Sequence, residues 1–124
     1  MAFDEQQREE KIKKIQEQEE EELAELLSKR YNIPYLNLMR VPLDLDALKL
    51  IREERAREAG VAVLRAAGKK LQIAVKNPSS QSTKATVDEL RLEGYEPELF
   101  LVSLHGLEHV WARYKEIGEE SKIT

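Results

Sequence analysis

The sequence predicts an α+β fold: a small α/β sandwich in which helices cover a short, mostly antiparallel three-stranded sheet and a charged helix leads the chain. Three observations carry this expectation. Val61 and Val63, then Leu71, Ile73 and Val75, alternate with smaller or polar residues on either side of Gly68-Lys69, the pattern of two antiparallel strands joined by a tight turn. Leu104, Leu107, Val110, Trp111, Tyr114 and Ile117 recur at helical spacing behind Ser103, a good N-cap. Residues 4–30 hold no Gly or Pro and are dominated by Glu, Lys, Arg and Gln, which favours helix by propensity and by neighbouring opposite charges.

Taken in order, the lead helix has thin apolar content. Ile12 and Ile15 share a face, but residues 16–22 read QEQEEEE, so a buried stripe is expected only from Leu23, Leu26 and Leu27 onward. The chain is therefore expected to divide into a solvated helical lead, 1–22, a packed domain, 23–118, and a short tail or linker start, 119–124. Pro34 makes continued helix unfavourable and points to an extended segment over Ile33–Leu38. Asp44 is placed to cap a helix over about 45–58, which Gly60 ends. After the hairpin, Asn77-Pro78-Ser79-Ser80 forms a turn, and Val87 and Leu90 mark a helix closed by Gly94. Tyr95, Leu99 and Leu101 make a third strand with Pro97 near its start, which suits an edge. The last helix is expected to run to Gly118. Leu36, Leu48, Val63, Ile73, Leu90, Leu101, Leu107 and Trp111 are the expected core.

Composition narrows the function classes. Twenty Lys+Arg against 24 Asp+Glu give a net charge of -4, so the chain has no general attraction for nucleic acid or anionic lipid. Cysteine is absent, which removes disulfides and thiolate chemistry. No apolar run is long enough for direct membrane insertion.

Candidate chemistry is sparse. Gly68-Lys69 invites comparison with a phosphate-binding loop, but Val63 stands at its first glycine position and Lys70 at its Ser/Thr position, and a strand follows where a helix is needed. His105-Gly106-Leu107-Glu108-His109 spells H-x-x-E-H, a zinc-binding string, yet both histidines are expected to face solvent opposite the apolar stripe. These readings leave no catalytic, metal or cofactor residue to assign. Surface contact is the remaining mode, and the candidate partner-binding residues are Arg52, Glu54 and Arg55 on the second helix and Ile12 and Ile15 on the lead helix.

The order of motifs from Leu23 to Ile117 resembles the N-terminal domain of type II secretion and type IV pilus assembly ATPases. The landmarks are Asn32-Ile33-Pro34-Tyr35, where the family has Gly-Ile-Pro-Tyr; the helix entered through Asp44; the apolar hairpin ending at Asn77-Pro78; and a last strand and helix closing near Tyr114. The resemblance implies a non-catalytic, cytoplasmic adaptor that joins an ATPase motor, in cis in the full protein, to an inner-membrane platform protein, and so lies at the membrane only through partners. Some members of the family bind cyclic di-GMP through a duplicated motif that begins Arg-Leu-Gly, so a cyclic di-GMP-binding regulatory domain is the alternative. Here the corresponding place holds the Glu/Lys/Gln-rich lead.

Overall fold

A computed structural model describes residues 2–117. Helix α1 (Ala2–Tyr31) is followed by a 3-10 turn (Leu38–Arg40), α2 (Leu45–Leu48), α3 (Glu53–Ala59), the hairpin strands β1 (Val61–Ala67) and β2 (Lys70–Val75), α4 (Gln81–Leu92), β3 (Glu96–Leu101) and α5 (Leu104–Trp111). The α+β class is as expected. The expected tail, 119–124, and the helix-ending Gly118 lie outside the described residues.

The sheet is mixed rather than mostly antiparallel. Its order is β1-β2-β3; β1 runs antiparallel to β2, with Val63 opposite Ile73, whereas β3 runs parallel to β2, with Leu101 beside Val75. The reason lies in the connection. A tight turn reverses β1 into β2, but α4 intervenes before β3 and carries the chain back to the same end of the sheet, which makes a parallel neighbour. Four consecutive residues of β1, Val61–Leu64, and three of β2, Ile73–Val75, are buried, so helices cover both faces of this end. The outer side of β3 is partly closed by the extended segment after α1: Leu36 N–H donates to Leu101 O at 3.0 Å, and Leu101 N–H to Pro34 O at 2.7 Å. Glu96 N–H donates across to Lys69 O, so by alternation the missing amide of Pro97 falls on the open side, as its place at an edge requires.

The helix expected over 45–58 is two helices. Asp44 caps α2 by accepting from Asp46 N–H and Ala47 N–H, and Gly60 ends α3 at φ 68, both as expected. Between them the chain leaves helical geometry, with Arg52 extended at φ -65, ψ 150. Buried Tyr114 explains the break: its hydroxyl donates to Leu48 O at 3.2 Å and Ile51 O at 2.8 Å, taking the two carbonyls that a continuous helix would have used for its own amides. Burial, with a smaller contribution from Glu53, pushes the Tyr114 hydroxyl up to about 12. The last helix is also interrupted. Arg113 N–H donates to Val110 O, tightening the turn after Trp111 before a further helical turn at 114–117.

Trp111 is 4% exposed, donates its indole N–H to Val61 O at 3.0 Å, and lies under the Arg57 guanidinium at 5.4 Å. Every expected core residue is buried except Leu36, which is partly buried against the core.

Trp111→Ala should destabilise the fold by about 3–5 kcal/mol in denaturant titration; a midpoint close to wild type would mean α5 is not packed as described. Tyr114→Phe, which strands two buried carbonyls, should cost about 1–3 kcal/mol at neutral pH. Because the folded-state hydroxyl titrates above its ordinary value of 10.0, its contribution is complete below pH 10.0 and is lost as pH rises toward about 12. Wild type should therefore lose stability more steeply across that window than Tyr114→Phe, as followed by circular dichroism.

Candidate docking surfaces

Two surfaces hold the residues that the sequence singles out. The first is α1. Its inward side is set by Glu21, Ala24 and Ser28, which recur at helical spacing. Ala24 and Ser28 are buried and small enough for the body to approach closely. Glu21 accepts from the Tyr35 hydroxyl at 2.5 Å and from the Ser103 hydroxyl, and Ser103 Oγ in turn accepts from Gly106 N–H at 2.9 Å as the cap of α5. One carboxylate thus ties α1 to both the segment along β3 and the start of α5. Burial first, then the bond to Glu21, holds the Tyr35 phenol well above its ordinary range, so it remains a donor to that carboxylate. One turn earlier, Glu17 lies 3.8 Å from His105.

This attachment turns the helix in a way the sequence does not announce. The expected buried stripe at Leu23 and Leu26 points outward, at 55% and 64% exposure, alongside Ile12 and Ile15 at 55% and 56%. A partly buried carboxylate network and two small residues occupy the inner side instead, and they leave Ile12, Ile15, Leu23 and Leu26 largely in solvent. A shallow apolar trough of about 160 Å³ remains where α1 meets α5, between Leu23, Leu27, Val102 and Leu104.

The second surface lies where α3 meets α4. Arg55 donates through Nε to Thr86 Oγ1 at 3.1 Å and pairs with Glu89 at 2.9 Å, so this candidate residue is anchored within the fold. Arg52 and Glu54 are exposed beside it. With Leu50, 40% exposed, Arg52 and Arg55 border an open depression of about 310 Å³, which Glu54 does not line. The structure brings Arg52, Glu54 and Arg55 together on α3 but keeps Ile12 and Ile15 on a separate element.

The remaining motifs resolve simply. Gly68-Lys69 is the hairpin turn, followed by β2. His109 is exposed, whereas His105 turns toward Glu17 instead of facing solvent freely. Among the described residues, no group of three or more His, Asp or Glu side chains could hold a metal ion, and no helix is long and apolar enough to cross a membrane. Glu21, Ser103 and Tyr35 are the structural residues that sequence reasoning missed as a unit; the N-cap role of Ser103 was the only local sign.

Comparison with known proteins fits this arrangement. Residues 31–119 match the MshEN domain. The chain is 33% identical over 97 residues to the type IV pilus assembly ATPase PilB of Myxococcus xanthus (strain DK1622), a match covering 77% of this chain and 17% of that relative. It superposes on the structure of MshE with cdg with a TM-score of 0.67 at 27% identity, covering 74% of this chain and 66% of that one. The N-terminal domain of XpsE gives a TM-score of 0.60 at 14% identity, over 76% of this chain and 65% of that one, and shows the fold alone. The chain thus spans a small part of the pilus ATPase and just under two thirds of the solved chains. From the expected landmarks, the observed fold and these matches together, the chain belongs to the MshEN domain family of N-terminal domains in type II secretion and type IV pilus assembly ATPases.

Proposed function

We propose that this chain is a non-catalytic docking domain which, in a pilus assembly or type II secretion ATPase, links the motor carried in cis to the cytoplasmic part of an inner-membrane platform protein. The domain then works in the cytoplasm and reaches the membrane through its partner. The observation that carries this reading is the surface around Leu50, where an exposed apolar side chain shares an open depression with Arg52 and the anchored Arg55, and Glu54 is exposed next to Arg55 in the chain. That is the composition of an interface core with a polar rim. The outward residues of α1, Ile12 and Ile15 among them, form the second surface of the docking unit.

A second reading, a cyclic di-GMP-binding regulatory domain, draws on the similarity to the structure of MshE with cdg. Against it stands the lead segment, which offers charged side chains and no Arg-Leu-Gly where that motif would begin.

Titration against cytoplasmic fragments of platform proteins should give saturable binding. Arg52→Glu combined with Glu54→Lys should weaken it at least tenfold with an unchanged melting temperature, and no saturable binding to any such fragment would overturn the docking reading. Calorimetry with cyclic di-GMP at micromolar concentration should show no heat; stoichiometric heat would favour the second reading. Docking through α1 also needs the helix held in place. Glu21→Ala should accelerate amide exchange in residues 8–31 while leaving β1 and β2 protected, whereas unchanged exchange in α1 would mean that the carboxylate does not hold it.

A further inference from the structure

The outward face of α1 carries a second pattern. Ile12, Ile15, Glu19, Leu23 and Leu26 fall on one side of the helix, opposite Glu17, Glu21, Ala24 and Ser28, and Arg8 and Arg30 extend that line at its two ends. All four apolar residues are more than half exposed. The line also repeats itself. Arg8, Ile12, Ile15 and Glu19 are followed three turns later by Glu19, Leu23, Leu26 and Arg30: the apolar pair recurs, and the charge at each end is reversed.

That reversal selects an occupant. If two copies pair in parallel and in register, Arg8 meets Arg8, Glu19 meets Glu19 and Arg30 meets Arg30. If they pair antiparallel with Ile12 on Leu26 and Ile15 on Leu23, Glu19 again meets itself and Arg8 meets Arg30. Both arrangements bury apolar groups at the expense of like charges. Two arrangements remove the conflict. One is an antiparallel pair of like halves, with Ile12 on Ile15 and Arg8 on Glu19; the other is a parallel pair offset by three turns, about 16 Å. The offset pair is favoured because it alone sets the basic first part of one helix along the acidic middle of the next. Ile12 then lies on Leu23 and Ile15 on Leu26, while Arg8 faces Glu19 and Glu19 faces Arg30. The basic first part of one helix, Arg8 to Lys14, comes alongside the acidic middle of the next, Glu19 to Glu25.

We infer that the outward face of α1 is an interface for a second copy of this chain, joined head to tail with the amino-terminal half of one α1 on the carboxy-terminal half of its neighbour. The inference rests on the docking reading and narrows it: α1 joins copies to one another and leaves the surface around Leu50 for the platform protein. Such an interface is heterologous, because the two halves that meet are different. Each pair retains one unused half on either side, so association continues beyond a dimer.

Sedimentation of the chain alone, with no platform protein present, tests this. Wild type should self-associate past the dimer as concentration rises toward about 1 mM, the range open to a short seam. Ile12→Asp with Ile15→Asp, and separately Leu23→Asp with Leu26→Asp, should each be monomeric. Mixed together they should form a one-to-one pair that grows no further. Glu19→Lys should weaken self-association at least tenfold, and adding Arg8→Glu and Arg30→Glu to it should restore association. Because the chain has no cysteine of its own, an Ile12→Cys chain mixed with a Leu23→Cys chain should form a disulfide, while Ile12→Cys with Leu26→Cys should not. A wild-type chain that stays monomeric, a charge reversal that is not rescued, or preferential 12-to-26 crosslinking would each overturn the inference. Arg52→Glu with Glu54→Lys should leave self-association unchanged, so a failure here and a failure of platform docking are separately readable.

Discussion

The orientation of α1 depends on one carboxylate. Glu21 is the shared acceptor for two hydroxyls from segments far apart in the sequence that the fold sets side by side, Tyr35 on the segment along β3 and Ser103 at the start of α5. Those donors are partly removed from water, so leaving either unpaired would be unfavourable, and the helix is fixed at the azimuth that satisfies both. Everything outward follows from that azimuth. Ala24 and Ser28 face in, and Ile12, Ile15, Leu23 and Leu26 face out. An apolar stripe would ordinarily bury itself in the body of a small domain; here a polar anchor and two small residues take the inner side.

A similar competition shapes the body. Tyr114 reaches the carbonyls of Leu48 and Ile51, and in doing so separates α2 from α3. The break sets the start of α3 at Arg52 and leaves Leu50 in the exposed connection between the two helices. Arg55, held by Thr86 and Glu89, then ties that surface to α4. The surface proposed for the platform protein is therefore a by-product of how the residues after α5 are packed, tied to the α2–α3 connection through one buried phenol.

Membership of the MshEN family fits a domain whose described cavities are open and shallow. The family match begins at Tyr31, so nearly all of α1 precedes it. The part of the chain that carries the family's fold and the part that carries the outward apolar face are thus largely separate in sequence, joined through Glu21. Such a division lets the lead helix specialise without disturbing the core.

The hairpin, the caps at Asp44 and Ser103, the edge position of Pro97 and the core around Trp111 were legible in the sequence, because each depends on neighbours close along the chain or on a simple apolar period. Even the residue that replaces the family's glycine follows this rule: Asn32 adopts φ 57 after α1, a left-handed position that asparagine tolerates. The parallel pairing of β3 was only half legible, since it follows from the helical crossover and not from any feature of the strand. The division of the second helix, the outward turn of Leu23 and Leu26, and the anchoring of Arg55 were decided by tertiary structure alone. In each case distant side chains, Tyr114, the Tyr35 and Ser103 hydroxyls that bond Glu21, or Glu89, supplied a hydrogen bond or charge that outweighed the local preference, and no periodicity in a linear chain encodes which remote group will arrive.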